Sequence, residues 1–500
     1  MIREVLAVAG VVGLGAIGVT PAAADADVVR TEAGLVRGIE QGEVRTFRGI
    51  PYAAPPTGDK RWRSPQPPAK WAGVRDATAY APSCAQGEFP IAVPSATEDC
   101  LYVDVTAPKD RGVLKPVVVW LHGGDFKYGG NSLYGPTRFA ERGDVVVVQP
   151  QYRLGVFGFL ADPSLGGADS GNFGLEDQQA ALRWVRRNAA AFGGDPRSVT
   201  VMGESAGGYS VCDLLASPTA AGLFHRAIIQ SAPCGQQSTK PRDEAEKFSR
   251  TLARSFGKTT AADLRTVDTK DLLAATEDTE FRPITGTAVL PRDPADALRT
   301  GRVNRVPVLH GVDDDEEAGR YGAQEVLSGK KISQSDYETA IRARFGRDAD
   351  KVLAEYADVR PAGRALATVM TDANWSVPAA ATNRLLAARM PTYSFEFAGD
   401  APWYAGTPEP AWPTGTHHMS EVAYFFDVAL FDAPDSEFAD ELIRHWSAFA
   451  DAGDPNMPGS AEWPRTTRHD RTVQSLNVAG TTRTDFAADH RLSFWRSLGR

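Results

Sequence analysis

The sequence predicts one α/β domain in which a mostly parallel central sheet is flanked by helices. Short β-branched runs are apolar on both faces, as strands are when helices cover both sides of a parallel sheet. These runs lie at 116–122, 144–150, 198–203, 226–231 and 305–311. Between two of them, residues 174–194 repeat apolar side chains at helical spacing and end on a Gly-Gly pair. Later in the chain, residues 392–398 predict another strand, and residues 335–357 predict two inserted amphipathic helices.

The chain begins with a segment that has the pattern of a secretory signal. Residues 5–19 are apolar throughout but too short to cross a bilayer comfortably, and three alanines ending at Ala24 follow shortly after. We therefore predict a signal peptide over residues 1–24, cleaved after Ala24 or Ala26, and a single domain over residues 27–500. A retained membrane anchor is the alternative interpretation.

Composition and cysteine spacing exclude several classes of protein. The 500 residues carry a net charge of −9 and no basic block, so a nucleic-acid partner has no electrostatic support. The four cysteines include no C-x-x-C pair, which argues against a zinc or redox motif. GLGAIG (13–18) matches the dinucleotide pattern G-x-G-x-x-G, but it lies in the apolar signal segment without a strand-turn-helix context, so we discard it. An even cysteine count in an exported chain predicts two disulfides. Sequential pairing, Cys84 with Cys100 and Cys212 with Cys234, closes the shortest loops and is predicted here, with four free thiols as the alternative.

The segment Gly203-Glu204-Ser205-Ala206-Gly207 fits the pattern G-x-S-x-G in its proper context. A predicted strand ends at Gly203, and a helix of small residues is expected to begin at Ala206. Such a turn strains the serine backbone and exposes its Oγ beside the positive end of a helix. Ser205 is therefore the candidate nucleophile.

A serine nucleophile needs a histidine base and an acid that orients it. For a serine on a strand-to-helix turn of this kind, the acid and the histidine are expected to follow Ser205 in chain order, each near the end of a strand. The candidate acids follow the strand at 305–311 and are Asp313, Asp314, Asp315, Glu316 and Glu317. The histidines downstream are His417, His418, His445, His469 and His490. The setting favours the pair His417-His418, but the pattern alone does not choose between neighbours.

Several further segments, taken in order, resemble the type-B carboxylesterase family, which includes the cholinesterases. They are FRGIPYAAPPTGDKRWRSPQPPAKW (47–71), EDCLYVDV (98–105), WLHGGDF (120–126), VTVMGESAGG (199–208), GVDDDEE (311–317), HMSEVAYFF (418–426) and FADAGDPN (449–456). The similarity covers nearly the whole mature chain. It implies an α/β-hydrolase fold, with helical insertions near the mouth of the active site, and no cofactor.

The resemblance also implies roles for individual residues. Ser205 is the nucleophile, His418 the base in the family's H-x-x-E, and Glu316 the acid in its DEG segment, with Glu317 in place of the glycine. The backbone N–H groups of Gly124, Asp125 and Ala206 then form the oxyanion hole.

Residue 125 departs from the family, which has a third glycine where this chain has aspartate. Asp tolerates left-handed backbone angles better than most residues, so its N–H can still point inward. A carboxylate facing the site would oppose a developing negative charge. We therefore expect Asp125 to face away, toward Lys127.

The resemblance implies hydrolysis of a small-molecule carboxylic ester. The cholinesterases of the family that the chain resembles bind a quaternary ammonium chiefly on a tryptophan in the loop closed by the first disulfide. The corresponding loop here, between Cys84 and Cys100, contains Phe89 and no tryptophan, so the resemblance disfavours a choline ester. We expect a secreted, extracellular enzyme that acts on uncharged esters of short to medium chain length. The alternatives are a long-chain lipase, a non-catalytic binding or adhesion protein on the same fold, and a hydrolase that uses the same triad on amides, thioesters or carbamates. Trp403, Tyr404 and Trp412 either line the pocket or pack in the core.

Overall fold

A computed structural model describes residues 28–89, 92–110, 112–236, 238–398 and 401–499. The predicted signal peptide and its cleavage sites lie outside the described residues. None of the helices in these ranges is long and apolar enough to cross a bilayer.

Strands and helices alternate through most of the chain. The strands are β1 (Val28–Arg30), β2 (Leu35–Arg37), β3 (Ile39–Gln41), β4 (Val44–Pro51), β5 (Val74–Asp76), β6 (Tyr102–Pro108), β7 (Lys115–Leu121), β8 (Val146–Pro150), β9 (Gly194–Glu204), β10 (Arg226–Gln230), β11 (Val308–Asp313), β12 (Thr392–Phe397), β13 (Val473–Leu476) and β14 (Thr482–Thr484). The first eight helices are α1 (Thr137–Gly143), α2 (Gly155–Gly158), α3 (Phe173–Asn188), α4 (Ala206–Ala216), α5 (Arg242–Ser255), α6 (Thr269–Ala275), α7 (Pro294–Thr300) and α8 (Ala318–Ser328). The later helices are α9 (Gln334–Phe345), α10 (Ala349–Glu355), α11 (Ala362–Thr371), α12 (Val377–Ala387), α13 (Val422–Phe425), α14 (Ser436–Ala452), α15 (Phe486–Asp489) and α16 (Leu492–Ser497).

The central sheet is mixed, with a parallel middle. Its strand order is β14-β13-β12-β11-β10-β9-β7-β8-β6-β4-β3, and a small second sheet holds β1, β2 and β5. All pairs from β13 across to β8 are parallel, whereas the pairs at the two ends are antiparallel. The parallel strands end at one edge of the sheet, where an α/β protein places its ligand site.

Successive residues of the middle strands face opposite sides of the sheet, and each side has its own core. In β7, Val117, Val119 and Leu121 pack into the cluster formed with α3 and α4. Val118 and Trp120 pack into the other cluster, formed with α1 and α14. This two-residue period buries both faces of the strand, which is why the sequence shows a continuous apolar run.

The predicted elements are present, with small differences at their ends. The predicted helix at 174–194 is α3 followed by a 3₁₀ turn, Ala189–Phe192, and it ends at Gly193 with φ 94°. The two predicted inserted helices are α9 and α10, which pack with α11 and with Trp495 of α16. The strand predicted at 198–203 begins earlier, at Gly194, because its first residues pair with the start of β7.

The two predicted disulfides are both present, and the described residues include no free cysteine. Cys84–Cys100 closes the loop before β6. Cys212–Cys234 ties α4 to the segment after β10. The second bond therefore holds the helix that follows the candidate nucleophile against the neighbouring strand.

Candidate active site

Ser205 lies on the sharp turn between β9 and α4, as its motif predicts. Its backbone has φ 53° and ψ −124°, a strained combination for a residue with a side chain. A Cβ on Gly207 would collide with the Leu121 carbonyl oxygen, and one on Gly203 would collide with the backbone of Gly207. Glycine is needed at both positions because strand and helix approach so closely.

The geometry selects one acid and one histidine from the candidates. Nδ1 of His418 lies 2.6 Å from Oε2 of Glu316. The backbone N–H of His418 also donates to the backbone carbonyl of Glu316, at 3.0 Å. The second carboxylate oxygen of Glu316 accepts the Asp313 N–H at 3.1 Å. Glu316 is 1% exposed, so its carboxylate is fixed by these contacts and shielded from water. Glu317 points elsewhere and accepts a hydrogen bond from Trp375.

The other nitrogen of His418 faces a third carboxylate. Nε2 lies 3.1 Å from Oε1 of the fully buried Glu204, although the pair lacks hydrogen-bond geometry. In the described part of the chain, the Ser205 hydroxyl makes no hydrogen bond. Catalytic hydrogen bonds are often long in structures without substrate, so this geometry is compatible with a Ser-His contact that forms on binding.

Buried carboxylates control the charge of His418. Burial lowers the pKa of the imidazole, but Glu204 and Glu316 outweigh it and raise that pKa to about 10. Burial has the opposite effect on Glu204, where it favours the neutral carboxylic acid and raises the pKa well above its ordinary value. Burial and the charge of Glu316 raise the pKa of Glu421 to about 7. His418 and Glu204 therefore compete for one proton, and a protonated Glu204 leaves His418 closer to the neutral form a base requires.

The other candidate histidines lie in surroundings that do not indicate a catalytic role. Burial lowers the pKa of His417 to about 4, and its ring packs against Trp403 and Tyr404. His445 lies in α14 with Nδ1 2.8 Å from the Pro455 carbonyl oxygen. His469 is exposed.

His490 belongs to a separate buried ion pair. Its Nδ1 lies 2.6 Å from Asp372, and its Nε2 lies 2.5 Å from Glu396 and 3.7 Å from Asp314. The possible ligand atoms of Asp314, Glu396 and His490 lie within 4.8 Å of one another, close enough to surround a metal ion. Because each ring nitrogen already faces a carboxylate at hydrogen-bond distance, a charged imidazole accounts for this cluster.

Of the residues predicted to form the oxyanion hole, Asp125 and Ala206 line the same cavity as Ser205. Gly124 and Asp125 have φ of 109° and 57°, and a Cβ on Gly124 would collide with the Tyr128 carbonyl oxygen. Within the described ranges, the N–H groups of Gly124, Asp125 and Ala206 donate to no protein acceptor. Three such donors at a helix start and a tight turn are what an oxyanion hole requires.

The expected contact of Asp125 with Lys127 is wrong. Asp125 is exposed and lines the cavity that contains Ser205, so it does not face away from the site as expected. Among the described residues it forms no ion pair with Lys127. The Lys127 ammonium instead donates to the carbonyl of Glu277 and lies over the Tyr128 ring. Lys127 extends away from Asp125 because the carbonyl oxygen of Glu277, just after α6, lies within reach of its ammonium group.

A cavity of about 480 Å³ opens over Ser205. Its walls combine aromatic and polar side chains, among them Phe126, Tyr209, Phe281, Arg282, Asn374 and Trp375. Trp403 and Trp412 are not part of this lining and are buried in packing contacts, Trp412 with its indole N–H bonded to Glu325. Asn374 and Trp375 were not predicted to belong to the site, because their only signal in the sequence is a tryptophan in a helical stretch of small residues.

Comparisons with known proteins identify the family of this chain. The model of the carboxylesterase family matches residues 25–495. A para-nitrobenzyl esterase of Bacillus subtilis (strain 168) is 34% identical, over 94% of this chain and 99% of its own. A fumonisin B1 esterase of Sphingopyxis macrogoltabida is 34% identical, over 93% of this chain and 89% of its own. The solved structure of a thermophilic PNB esterase has a TM-score of 0.79 at 31% identity, over 93% of this chain and 99% of its own. The chain thus belongs to the carboxylesterase family, has the α/β-hydrolase fold, and is a carboxylic ester hydrolase.

Proposed function

We propose that this carboxylesterase cleaves uncharged esters of short to medium chain length through a Ser205-His418-Glu316 triad and an acyl-enzyme intermediate. The observation that carries the proposal is the 2.6 Å contact between His418 Nδ1 and Glu316, beside a serine on a strained turn. Glu316 comes from the end of β11 and His418 from the loop before α13, so only the folded chain brings them together.

In the proposed reaction, His418 Nε2 accepts the proton of Ser205 as Oγ attacks the ester carbonyl carbon. The imidazolium is stabilised by Glu316, which also keeps the ring in the tautomer that carries a proton on Nδ1. The imidazolium then gives its proton to the departing alcohol as the C–O bond breaks. Water repeats these steps on the acyl-enzyme and releases the acid.

The negative oxygen of each tetrahedral intermediate would be bound by the N–H groups of Gly124, Asp125 and Ala206. These donors are held by the positive φ angles at residues 124 and 125 and by the start of α4. Because they are fixed before substrate arrives, they stabilise the charge without reorganisation, and one such donor is typically worth about 10²–10³ in turnover.

Aromatic side chains in the cavity wall support the preference for uncharged esters. Phe126, Phe281 and Trp375 line the space over Ser205 and offer an apolar surface to the acyl or alcohol group. Short to medium chains are the range we expect, and a series of p-nitrophenyl esters measures it. The relatives are named after chemically different compounds, and their names do not identify the substrate.

We also propose that the protein is secreted after removal of its first 24 or 26 residues. The apolar segment at 5–19 and the two disulfides support this, because disulfides persist in oxidising compartments outside the cytosol. The mass of the protein recovered from the culture medium of the expressing cells tests it. An intact Met1 on protein that stays with the cells would contradict secretion.

The decisive experiment compares wild type with Ser205→Ala on p-nitrophenyl acetate, butyrate and palmitate. We expect turnover of the two shorter esters, a loss of roughly 10³-fold or more in the variant, and one fluorophosphonate label on Ser205 by mass spectrometry. Ser436→Ala, a change at an exposed serine of α14, is the matched control.

Three other outcomes would each contradict a part of the proposal. Preferred turnover of palmitate, with activation at a lipid interface, would indicate a lipase. A label on another serine would contradict the nucleophile. A folded wild type with neither turnover nor label would indicate a binding protein.

A further inference from the structure

Glu317, the neighbour of the proposed triad acid, holds a different part of the site. Its side chain is largely buried, and Oε1 accepts the indole N–H of Trp375 at 3.0 Å. Its backbone N–H donates to Oγ1 of Thr371 at 3.0 Å. The other carboxylate oxygen lies 3.6 Å from the exposed Arg320 guanidinium. Glu317 therefore joins the loop after β11 to the helical segment that carries Trp375.

Trp375 lies on an irregular turn of that segment. Residues Asp372–Ser376 form a π-helical turn between α11 and α12. Such turns are rare and occur frequently at functional sites, because the wider turn displaces side chains from the regular helical face. Both Asn374 and Trp375 of this turn line the cavity above Ser205.

The Trp375 ring also lies against the imidazole of His418. The two ring centroids are 4.8 Å apart, and the planes are inclined by 42°. The side chain of His418 is 28% exposed, so the carboxylates do not enclose it completely. On the side that they leave open, a neighbouring ring can restrict the movement of the imidazole. An indole face close to a cation also attracts it, and the imidazole becomes a cation during the proposed reaction.

We infer that Trp375 is a positioning residue for His418 and that Glu317 acts through it. The inference rests on the proposed function, since it assigns His418 as the base. Two adjacent carboxylates thus act on one imidazole. Glu316 holds it directly through Nδ1, and Glu317 holds the ring that packs on it. The glycine that the family resemblance places at position 317 has no side chain with which to bind Trp375.

Substitutions can separate the hydrogen bond from the ring. Glu317→Ala removes the acceptor, Glu317→Gln keeps an oxygen acceptor without the charge, and Trp375→Phe keeps a ring without the N–H. We expect Glu317→Ala to lower kcat for p-nitrophenyl acetate about 3- to 30-fold, a fraction of the 10²–10⁴ that a positioned base supplies, with KM changed less than about 2-fold. Glu317→Gln should restore most of that kcat.

The double variant is the sharpest test of the pathway. If Glu317 acts through the indole N–H, its truncation has no further effect once that N–H is gone. The loss of kcat in Glu317→Ala/Trp375→Phe should therefore equal the loss in Trp375→Phe alone. Multiplied losses, an effect on KM alone, or equal losses in Glu317→Ala and Glu317→Gln would each overturn the inference.

The direction in which a pH profile moves distinguishes the attraction from simple loss of packing, because exposing the imidazole to water would raise its pKa instead of lowering it. Trp375→Leu removes the ring that attracts the imidazolium, so the acid limb of kcat/KM should move about half a pH unit lower, while Trp375→Phe keeps it within about 0.2. The ionisable groups that act on His418, namely Glu204, Glu316 and Glu421, are unchanged in these variants. If the acid limb of Trp375→Leu stays in place, the proposed attraction between the Trp375 ring and the imidazolium of His418 is wrong.

Two reference variants distinguish failure of this inference from failure of the proposed function. If Ser205→Ala and His418→Ala keep the wild-type rate, the triad itself is wrong. If they are inactive while Glu317→Ala and Trp375→Phe match wild type, only the positioning role is wrong. Melting curves and fluorophosphonate labelling show which variants are folded.

Discussion

Glu204→Gln should move the acid limb of kcat/KM to lower pH. Glu204 ends β9, is fully buried, and places Oε1 3.1 Å from Nε2 of His418. The substitution removes one negative charge and leaves the shape of the side chain nearly unchanged. Without that charge the imidazolium is less stable, its pKa falls, and a larger fraction of His418 is the neutral base at low pH.

The size of the shift follows from the distance. Two unit charges 3.1 Å apart interact by about 1.3 kcal/mol at the dielectric constant of water and by about 5 kcal/mol at an effective value of 20. At about 1.4 kcal/mol per unit, these energies correspond to shifts of about 1 and about 4 pH units. Burial raises the pKa of Glu204 itself, so it carries its charge over only part of the titration. We therefore expect a shift nearer to 1 unit.

The assay is kcat/KM for p-nitrophenyl acetate between about pH 5 and 11, with spontaneous hydrolysis of the ester subtracted, because the acid limb reports the base in the free enzyme. Glu437→Gln removes the same charge from the exposed first turn of α14 and is the control. An acid limb that stays in place in Glu204→Gln, or moves to higher pH, would refute the electrostatic reasoning.

Two further predictions concern the oxyanion loop and a disulfide. Asp125→Gly should leave kcat for p-nitrophenyl acetate equal or several-fold higher, because the N–H remains while a carboxylate near the developing charge is lost; a fall of 10²-fold would show that the aspartate is needed. Cys212→Ala/Cys234→Ala opens a link between residues 22 apart in sequence, which should lower the free energy of unfolding by about 3 kcal/mol. Urea unfolding without reductant measures this loss, and an unchanged midpoint would contradict it.

Much of the fold was predictable because its signals are local. The runs in β7 and β10 are apolar on both faces, and each strand has one core on either side of the sheet. The strand, glycines and helix around Ser205 are contiguous in sequence, and one turn places the side chain whatever surrounds it. The ends of elements were less predictable, since β9 extends to Gly194 only because β7 pairs with it.

The sequence by itself determined the class of the sheet, the candidate nucleophile and, through ordered motifs, the resemblance to carboxylesterases. The residue pattern left five neighbouring carboxylates open, and only the resemblance implied Glu316. The tertiary structure places Glu316 2.6 Å from Nδ1 of His418, which is 102 residues away in sequence. It alone placed Trp375 on that histidine and Lys127 away from Asp125. Periodicity and turn chemistry act between residues close in sequence, whereas these contacts depend on how the loops after β11 and β12 and a π-helical turn pack together at one edge of the sheet.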